Sequence, residues 1–565
     1  MSQIDWIVLC ATLLFIAGYG IWKSRGTKTI SGYLLADRKL PWYHVGLSVM
    51  ATQASAITFL SAPGQGYSDG LRFVQFYFGL PLAMVVLCIT FIPMFRKLNV
   101  YTAYEYLEKR FDNKTRSLTA FLFLLQRGLS TGITIYAPAI ILSTILNVDI
   151  RYTIFLTGAL VIGYTVYGGT KAVSYTQVFQ MTVIFGGLFL AAYLVVHLLP
   201  TDIGIIDALH IAGKMNKINA IDTSFDLSSR YTIWSGIIGG FFLQLSYFGT
   251  DQSQVGRYLT GSSVSQSRLG LVMNGLVKIP MQFFILLIGV LVFSFYQFHR
   301  APIFFNKLEL TKIKNSPHGE EFRALEKRYD VLYGEKQKDV YKLVTAIHAH
   351  DENRIATSRI KLQAAAKKND SIRAQATALM RKNDAKADTN DTNYIFLSFV
   401  TQYLPMGIVG LLIAIIFLAA MGSTASGLNS LASTTVVDFY KRLLRKDATD
   451  HHYLQASRMA TVCWGLFCII VAFYANKLGN LIEAVNILGS LFYGTILGIF
   501  LVAFYMKRIS GNSVFYAALL AQAFIAYAWI VNLTAFLWLN VIGCLMVMGF
   551  SLLIQKFSKL RTKHS

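Results

Sequence analysis

Charge is scarce in this chain: Asp, Glu, Lys and Arg make up only 14% of its 565 residues, against 54% hydrophobic. Soluble domains carry about a quarter charged residues, so a water-soluble globule is excluded. Cysteine is sparser still. The five present, Cys10, Cys88, Cys463, Cys468 and Cys544, fall inside apolar stretches without metal-ligand spacing, which excludes a disulfide scaffold and a zinc module. No glycine-rich loop ends in Lys-Ser or Lys-Thr, as an ATP-driven pump would need. The close histidine pairs, His348/His350 and His451/His452, lie in charged stretches and read as solvated surface rather than a metal site or an enzyme's catalytic group. The first apolar run lacks the basic start and small-residue cleavage site of a signal peptide and carries Asp5, so it reads as a retained span.

What is present is apolar length. Runs at 4–22, 76–95, 176–199 and 536–554 each suffice to cross a hydrocarbon core of about 30 Å. The second of these belongs to a span over 72–95, and the rest of the pattern places further spans near 44–70, 118–146, 153–167, 233–249, 270–298, 402–437, 456–475, 481–506 and 514–532, about thirteen in all. The expectation is an all-α polytopic membrane protein whose first partner is the lipid bilayer. The formal net charge of +23 points to no nucleic acid, because its distribution follows the spans. Basic residues cluster after the first span (Lys23, Arg25, Lys28, Arg38, Lys39), at 96–116, 441–446, 507–508 and 556–563, which are alternate loops. The positive-inside rule then puts the N-terminus outside and the C-terminus in the cytoplasm of a plasma or bacterial inner membrane.

Residues 299–392 depart from this composition, being dense in Lys, Arg, Glu, Asp and Ala. They read as a solvated extramembrane insertion with a helical hairpin and no core of its own, its alanine-rich helix falling within 355–380. No obligate protein partner is implied. The second span is interrupted at 61–67 (Ser-Ala-Pro-Gly-Gln-Gly-Tyr), and the seventh carries Gly239-Gly240. Broken helices at corresponding positions of two five-helix halves point to an inverted-repeat transporter with its site at the repeat interface. The chain divides accordingly: 1–43, first helix and loop; 44–199, first repeat; 200–232, outer loop; 233–507, second repeat with the insertion 299–392; 508–565, two final helices and tail.

Residues 101–111 (Tyr-Thr-Ala-Tyr-Glu-Tyr-Leu-Glu-Lys-Arg-Phe), 164–180 (Tyr-Thr-Val-Tyr-Gly-Gly-Thr-Lys-Ala-Val-Ser-Tyr-Thr-Gln-Val-Phe-Gln), 249–260 (Gly-Thr-Asp-Gln-Ser-Gln-Val-Gly-Arg-Tyr-Leu-Thr) and 418–440 together resemble the sodium/solute symporter family. That family includes sodium/galactose, proline, iodide, sialic acid and vitamin carriers. The resemblance implies a five-plus-five inverted repeat of LeuT-like type, with one helix before it and two after. It also implies Na+ as coupling ion, bound by the carbonyls of Ala51, Ala54 and Ala419 and the hydroxyl of Ser423. Two positions depart from the family pattern. Gly422 stands where a second hydroxyl is usual, leaving Thr424 or a water to complete the shell. Gln177 replaces an aspartate that serves an additional sodium, which argues for one sodium per cycle. Read without the resemblance, Ser423 and Thr424 simply hydrogen-bond the preceding turn.

The family's substrate positions fall on Thr58, on Gln75 or Tyr77, and on Gln244, Lys278 and Asn486, with Tyr247 as an aromatic gate. Isolated amides such as Gln244 are equally explained as links between helices. Lys278, a charge within a span, either faces a cavity or snorkels to the interface. The implied function is import of a small polar metabolite, an organic anion or vitamin-like acid, or a sugar, by alternating access. Alternatives are a proton-coupled symporter of the same fold, and a channel or sensor that retains the carrier fold.

Overall fold

A bilayer core offers no water to an open backbone group, so the chain crosses it as helix. The computed structural model describes residues 1–24, 35–98 and 100–561, apart from the side chains of residues 17, 21, 23, 24, 167–172, 476, 477 and 561. Arg25, Lys28 and Lys563 of the basic clusters lie outside the described residues. Among those described, ten helices are long and apolar enough to cross a membrane. The expected spans absent from that count are short or broken helices, and the breaks position the site.

The first helix is α1 (Gln3–Ser24), and the second span comprises α2 (Trp42–Gln53) and α3 (Ala56–Asp69). The third begins as α4 (Leu80–Val86) and continues through a π-turn to Lys97. The fourth is α5 (Asn113–Leu146), whose first turn is capped by Asp112, accepting from the Thr115 amide at 2.8 Å. The helical run Ile150–His197 is too long for one crossing. Within it the Tyr164 and Thr176 hydroxyls stand 2.8 Å apart, whereas twelve residues of straight helix rise about 18 Å. Its apolar lengths α6 (Ile150–Val166) and α7 (Val173–His197) therefore lie side by side as two crossings.

The second half opens with a π-turn at Ser235–Gly239 leading into α9 (Gly240–Thr250), after a surface helix α8 (Ile205–Lys214). Then come α10 (Gln252–Tyr258) and α11 (Val264–Phe298). Beyond the insertion lie α15 (Ile408–Thr434), α16 (Asp450–Ala472), α17 (Leu481–Tyr505), α18 (Gly511–Ile530) and α19 (Phe536–Arg561). Asp5 of α1 accepts from the amides of Gly407 (2.6 Å) and Gly410 (3.1 Å), so α1 and α15 begin at the same end of the bundle.

Both breaks differ in place from the composition-based expectation. The second span is open at Ala54-Ser55, and α3 runs on through Pro63 and both glycines. Those glycines serve close packing: a Cβ on Gly64 would lie 2.0 Å from the Thr392 carbonyl oxygen, and one on Gly66 2.3 Å from that of Leu286. In the seventh span Gly239 and Gly240 likewise sit against Leu537 and Phe76, and the chain opens at Asp251 (φ −79°, ψ 117°).

The insertion folds as α12 (Lys307–Lys314), α13 (Gly319–His348) and α14 (Glu352–Asn383). The expectation that it has no core is corrected. Ile303, Phe304, Phe322, Ile372, Leu379 and Met380 form a small apolar cluster between its helices, because intermittent apolar residues on α13 and α14 share one face. His348 is half-exposed and meets Asp207 of α8 at 2.8 Å.

The tightest crossing yields a stability test. A Cβ on Gly289 of α11 would lie 2.0 Å from the Pro63 carbonyl oxygen, whereas one on Gly163 meets nothing within 4 Å among the described residues. Gly289→Ala should cost about 1–3 kcal/mol by overpacking, and Gly163→Ala should be neutral or stabilising by up to about 1 kcal/mol. Thermal unfolding in detergent measures both; equal effects contradict the packing.

Candidate functional site

At the break of the second span the backbone leaves the helical ladder in a defined way. The Ser55 amide, which a continuous helix would give to Ala51, donates instead to the Gln53 carbonyl at 3.0 Å. The Thr58 amide, due to Ala54, donates to Ser55 at 2.9 Å. The carbonyls of Ala51 and Ala54 are thereby released from their helical donors, and both residues are buried. On α15 the Ser423 hydroxyl donates to the Ala419 carbonyl at 2.9 Å and lies 3.3 Å from that of Ala420. This is the preceding-turn bond expected of a helical serine, and the oxygen keeps lone pairs for a further partner. Thr424 turns to Thr134 of α5, 3.1 Å away.

Gln177 of α7 ties the same region together. Its amide nitrogen lies 3.3 Å from the Gly422 carbonyl, 3.2 Å from Ser426 Oγ and 3.3 Å from Thr52 Oγ1, while its oxygen accepts from Ser48 at 2.5 Å. A Cβ on Gly422 would come within 2.5 Å of Gln180 Oε1. Among the described residues no carboxylate hydrogen-bonds any of these groups.

A cavity opens beside the break, between α3, α5, α9 and α17, with about 610 Å³ of empty space when its open mouth is included. Thr58, Tyr77, Gln244, Tyr247 and Asn486 all line it. Gln53 Nε2 and Gln244 Oε1 are 3.5 Å apart, and among the described residues Gln53 Oε1 and Gln244 Nε2 have no hydrogen-bond partners, like the Ser130 hydroxyl on the same wall. The cavity thus presents an unused acceptor, an unused amide donor and a hydroxyl to whatever enters.

Two expected residues are not part of this lining. Gln75 is fully buried and committed to the loop above: its nitrogen donates to the Tyr231 carbonyl at 3.1 Å, and its oxygen accepts from the Asp222 amide at 2.9 Å. Lys278 is fully buried, does not snorkel, and has no hydrogen-bond partner for its amine among the described residues; the amine lies 5.6 Å from the centre of the Tyr77 ring. It stands behind that ring rather than in the cavity.

The opposite end of the cavity is closed by a network that sequence reasoning missed. Arg127 of α5 pairs with Asp251 at the second break, and Tyr493 of α17 donates to the same carboxylate at 2.8 Å. The guanidinium lies 5.4 Å from the Tyr247 ring, and that residue's hydroxyl accepts from Gln254 at 2.7 Å. Asp251 also caps α10 through the Ser253 amide at 2.8 Å. The signal for Arg127 was an ionisable residue within a span, the same argument applied to Lys278. Tyr493 offered none, since aromatic residues are ordinary in membrane helices.

A helical bundle whose two broken spans meet at a polar cavity defines a secondary transporter. The model of the sodium:solute symporter family matches residues 33–312 and 371–521, and the chain belongs to that family. It is a sodium-coupled membrane carrier of small solutes and not an enzyme. The chain is 26% identical to the sodium/sialic acid symporter NanT of Aliivibrio fischeri over 97% of its length and 92% of that protein's. It is 25% identical to the sodium/glucose cotransporter of Vibrio parahaemolyticus, over 90% of this chain and 82% of that one. The human sodium/iodide cotransporter is 33% identical over 52% of this chain, a match spanning 45% of that protein's length. A solved sodium-coupled sialic acid symporter superposes with a TM-score of 0.75 at 23% identity, covering 98% of both chains, and shows the same fold.

The Arg127–Asp251 pair is buried, so removing one partner strands a charge. Arg127→Met or Asp251→Asn alone should destabilise by about 3–5 kcal/mol, with the double variant losing less than the sum. A double-mutant cycle by thermal unfolding checks this; additive losses contradict the coupling.

Proposed function

We propose that the chain imports, together with one sodium ion per cycle, a small hydroxylated metabolite, a sugar or a hydroxylated organic acid. The observation that carries this reading is the cavity at the broken helices, where Gln53 Oε1, Gln244 Nε2 and the Ser130 hydroxyl lack partners. A hydroxyl group both donates and accepts, and so satisfies such a set at once. Thr58, Tyr77 and Asn486 complete the solute wall, and Tyr247, held by Gln254 and Arg127, closes it. An acidic solute is the second reading, favoured by Lys278 behind Tyr77. Relatives carrying glucose, sialic acid and iodide are consistent with either. Gln75 is proposed to hold the outer loop in place above the site.

Sodium is assigned to the carbonyls of Ala51, Ala54 and Ala419 and the hydroxyl of Ser423. A hard monovalent cation takes oxygen ligands without needing a formal charge, and irregular backbone supplies them where it lines a cavity. Gln177 supports a single sodium: its amide nitrogen, a donor, occupies the centre of the Gly422, Ser426 and Thr52 oxygens, where a second cation would otherwise sit. Without a carboxylate among these groups, proton relay has no carrier. One sodium crossing 100 mV contributes ~2.3 kcal/mol and a tenfold gradient ~1.4, enough to concentrate solute several-hundred-fold. The N-terminus is assigned to the outside of a plasma or bacterial inner membrane, with the insertion on that same side.

In proteoliposomes, uptake from a panel of glucose, sialic acid and lactate should be saturable and require an inward sodium gradient. Persistence of uptake when choline replaces sodium and a proton gradient is imposed would overturn the coupling. Asn486→Ala and Gln244→Ala should each raise the half-saturating solute concentration about tenfold while leaving the sodium requirement of residual uptake in place; unaltered solute dependence in both would misplace the solute wall.

A further inference from the structure

The central part of the insertion, 313–370, lies outside the family match, and it roofs a second cavity. This chamber, about 1330 Å³ including its mouth, is walled by the end of α3, the outer part of α11, the turn at 215–217 and the facing sides of α13 and α14. It shares no lining residue with the cavity at the broken helices. The two lie at opposite ends of α3, one at Ile57 and Thr58, the other at Tyr67 and Ser68.

Its chemistry is that of an anion site with an apolar face. Lys217 donates to the Ser68 carbonyl and lies 5.1 Å from the centre of the Phe293 ring. Arg373 is already neutralised, bonded to both oxygens of Asp391 at 2.9 and 2.8 Å. Lys336 is different: among the described residues it has no ion-pair partner, Asp370 and Lys217 are the charges that act on it, and burial pushes its amine down to about 8. An anion beside it would offset that desolvation. Two further polar groups on the lining are buried without partners among the described residues, the Tyr333 hydroxyl and Oδ1 of Asn369, a residue only 9% exposed. A cation and a phenol call for a carboxylate, and an unused amide oxygen calls for a donor on the same molecule. Tyr67, Phe293 and Tyr329 supply flat apolar walls around them.

We propose that this chamber is a second solute site, which takes a small hydroxylated carboxylate with an apolar body and bridges the insertion to the outer half of the broken second span. Its ligand would bind Lys336 and Tyr333 through the carboxylate and Asn369 through the hydroxyl. The reading is independent of which solute the central cavity carries.

Calorimetric titration of the full chain in detergent, with mandelate as probe, tests it. Mandelate should bind saturably and its neutral analogue mandelamide about tenfold more weakly. Lys336→Gln and Tyr333→Phe, both on the insertion's helix, should each weaken mandelate by about tenfold. Failure of mandelate to bind, equal binding of mandelamide, or indifference to both insertion variants would each overturn the proposal.

Discussion

The structure depends on one constraint: inside a bilayer a backbone carbonyl released from its helix must find another partner or line a cavity. At Ala54-Ser55 two amides shift to nearer carbonyls, and those of Ala51 and Ala54 are left over. Everything around the break makes that tolerable. α15 brings Ser426 to within 3.1 Å of the Thr52 hydroxyl, α7 brings Gln177, and the polar cavity opens alongside. Continuing the helix through this point would close the polar surface that a transported ion needs.

The second break answers the first with charge instead of bare carbonyls. Asp251 interrupts the seventh span, caps the helix that follows, and is held by Arg127 and Tyr493. A buried pair of this kind contributes little net stability compared with apolar packing, yet losing one partner is costly. Its value lies in fixing geometry: Tyr247 is pinned between Arg127 and Gln254 at the floor of the cavity. Moving that ring requires rearranging a network that spans α5, α9, α10 and α17, which is the kind of coupled element that alternating access needs.

Much of this was legible in the sequence for physical reasons. Apolar length gave the spans, because hydrocarbon thickness sets helix length directly. The family motifs led to Thr58, Tyr77, Gln244, Tyr247 and Asn486, which the fold brings to one cavity. The location of the breaks was not legible from composition. Pro63 and Gly64 look like helix breakers, but in a packed bundle the glycines serve backbone approach to Thr392 and Leu286, while the actual break falls at an alanine and a serine with no local signal. Gln75 was ambiguous for a related reason, since only the loop returning to it shows that its amide is already committed. The core of the insertion escaped because its apolar residues are spread thinly over two helices that meet only after the hairpin closes.

The account stands or falls on a cation held by uncharged oxygen at the first break. Equilibrium binding of ²²Na⁺ to the purified chain measures it directly. The account predicts one saturable sodium per chain, with affinity markedly weakened in Ser423→Ala and a second sodium absent while Gln177 is in place. Two saturable sodium ions in the unaltered protein, or binding unaffected by Ser423→Ala, would contradict it.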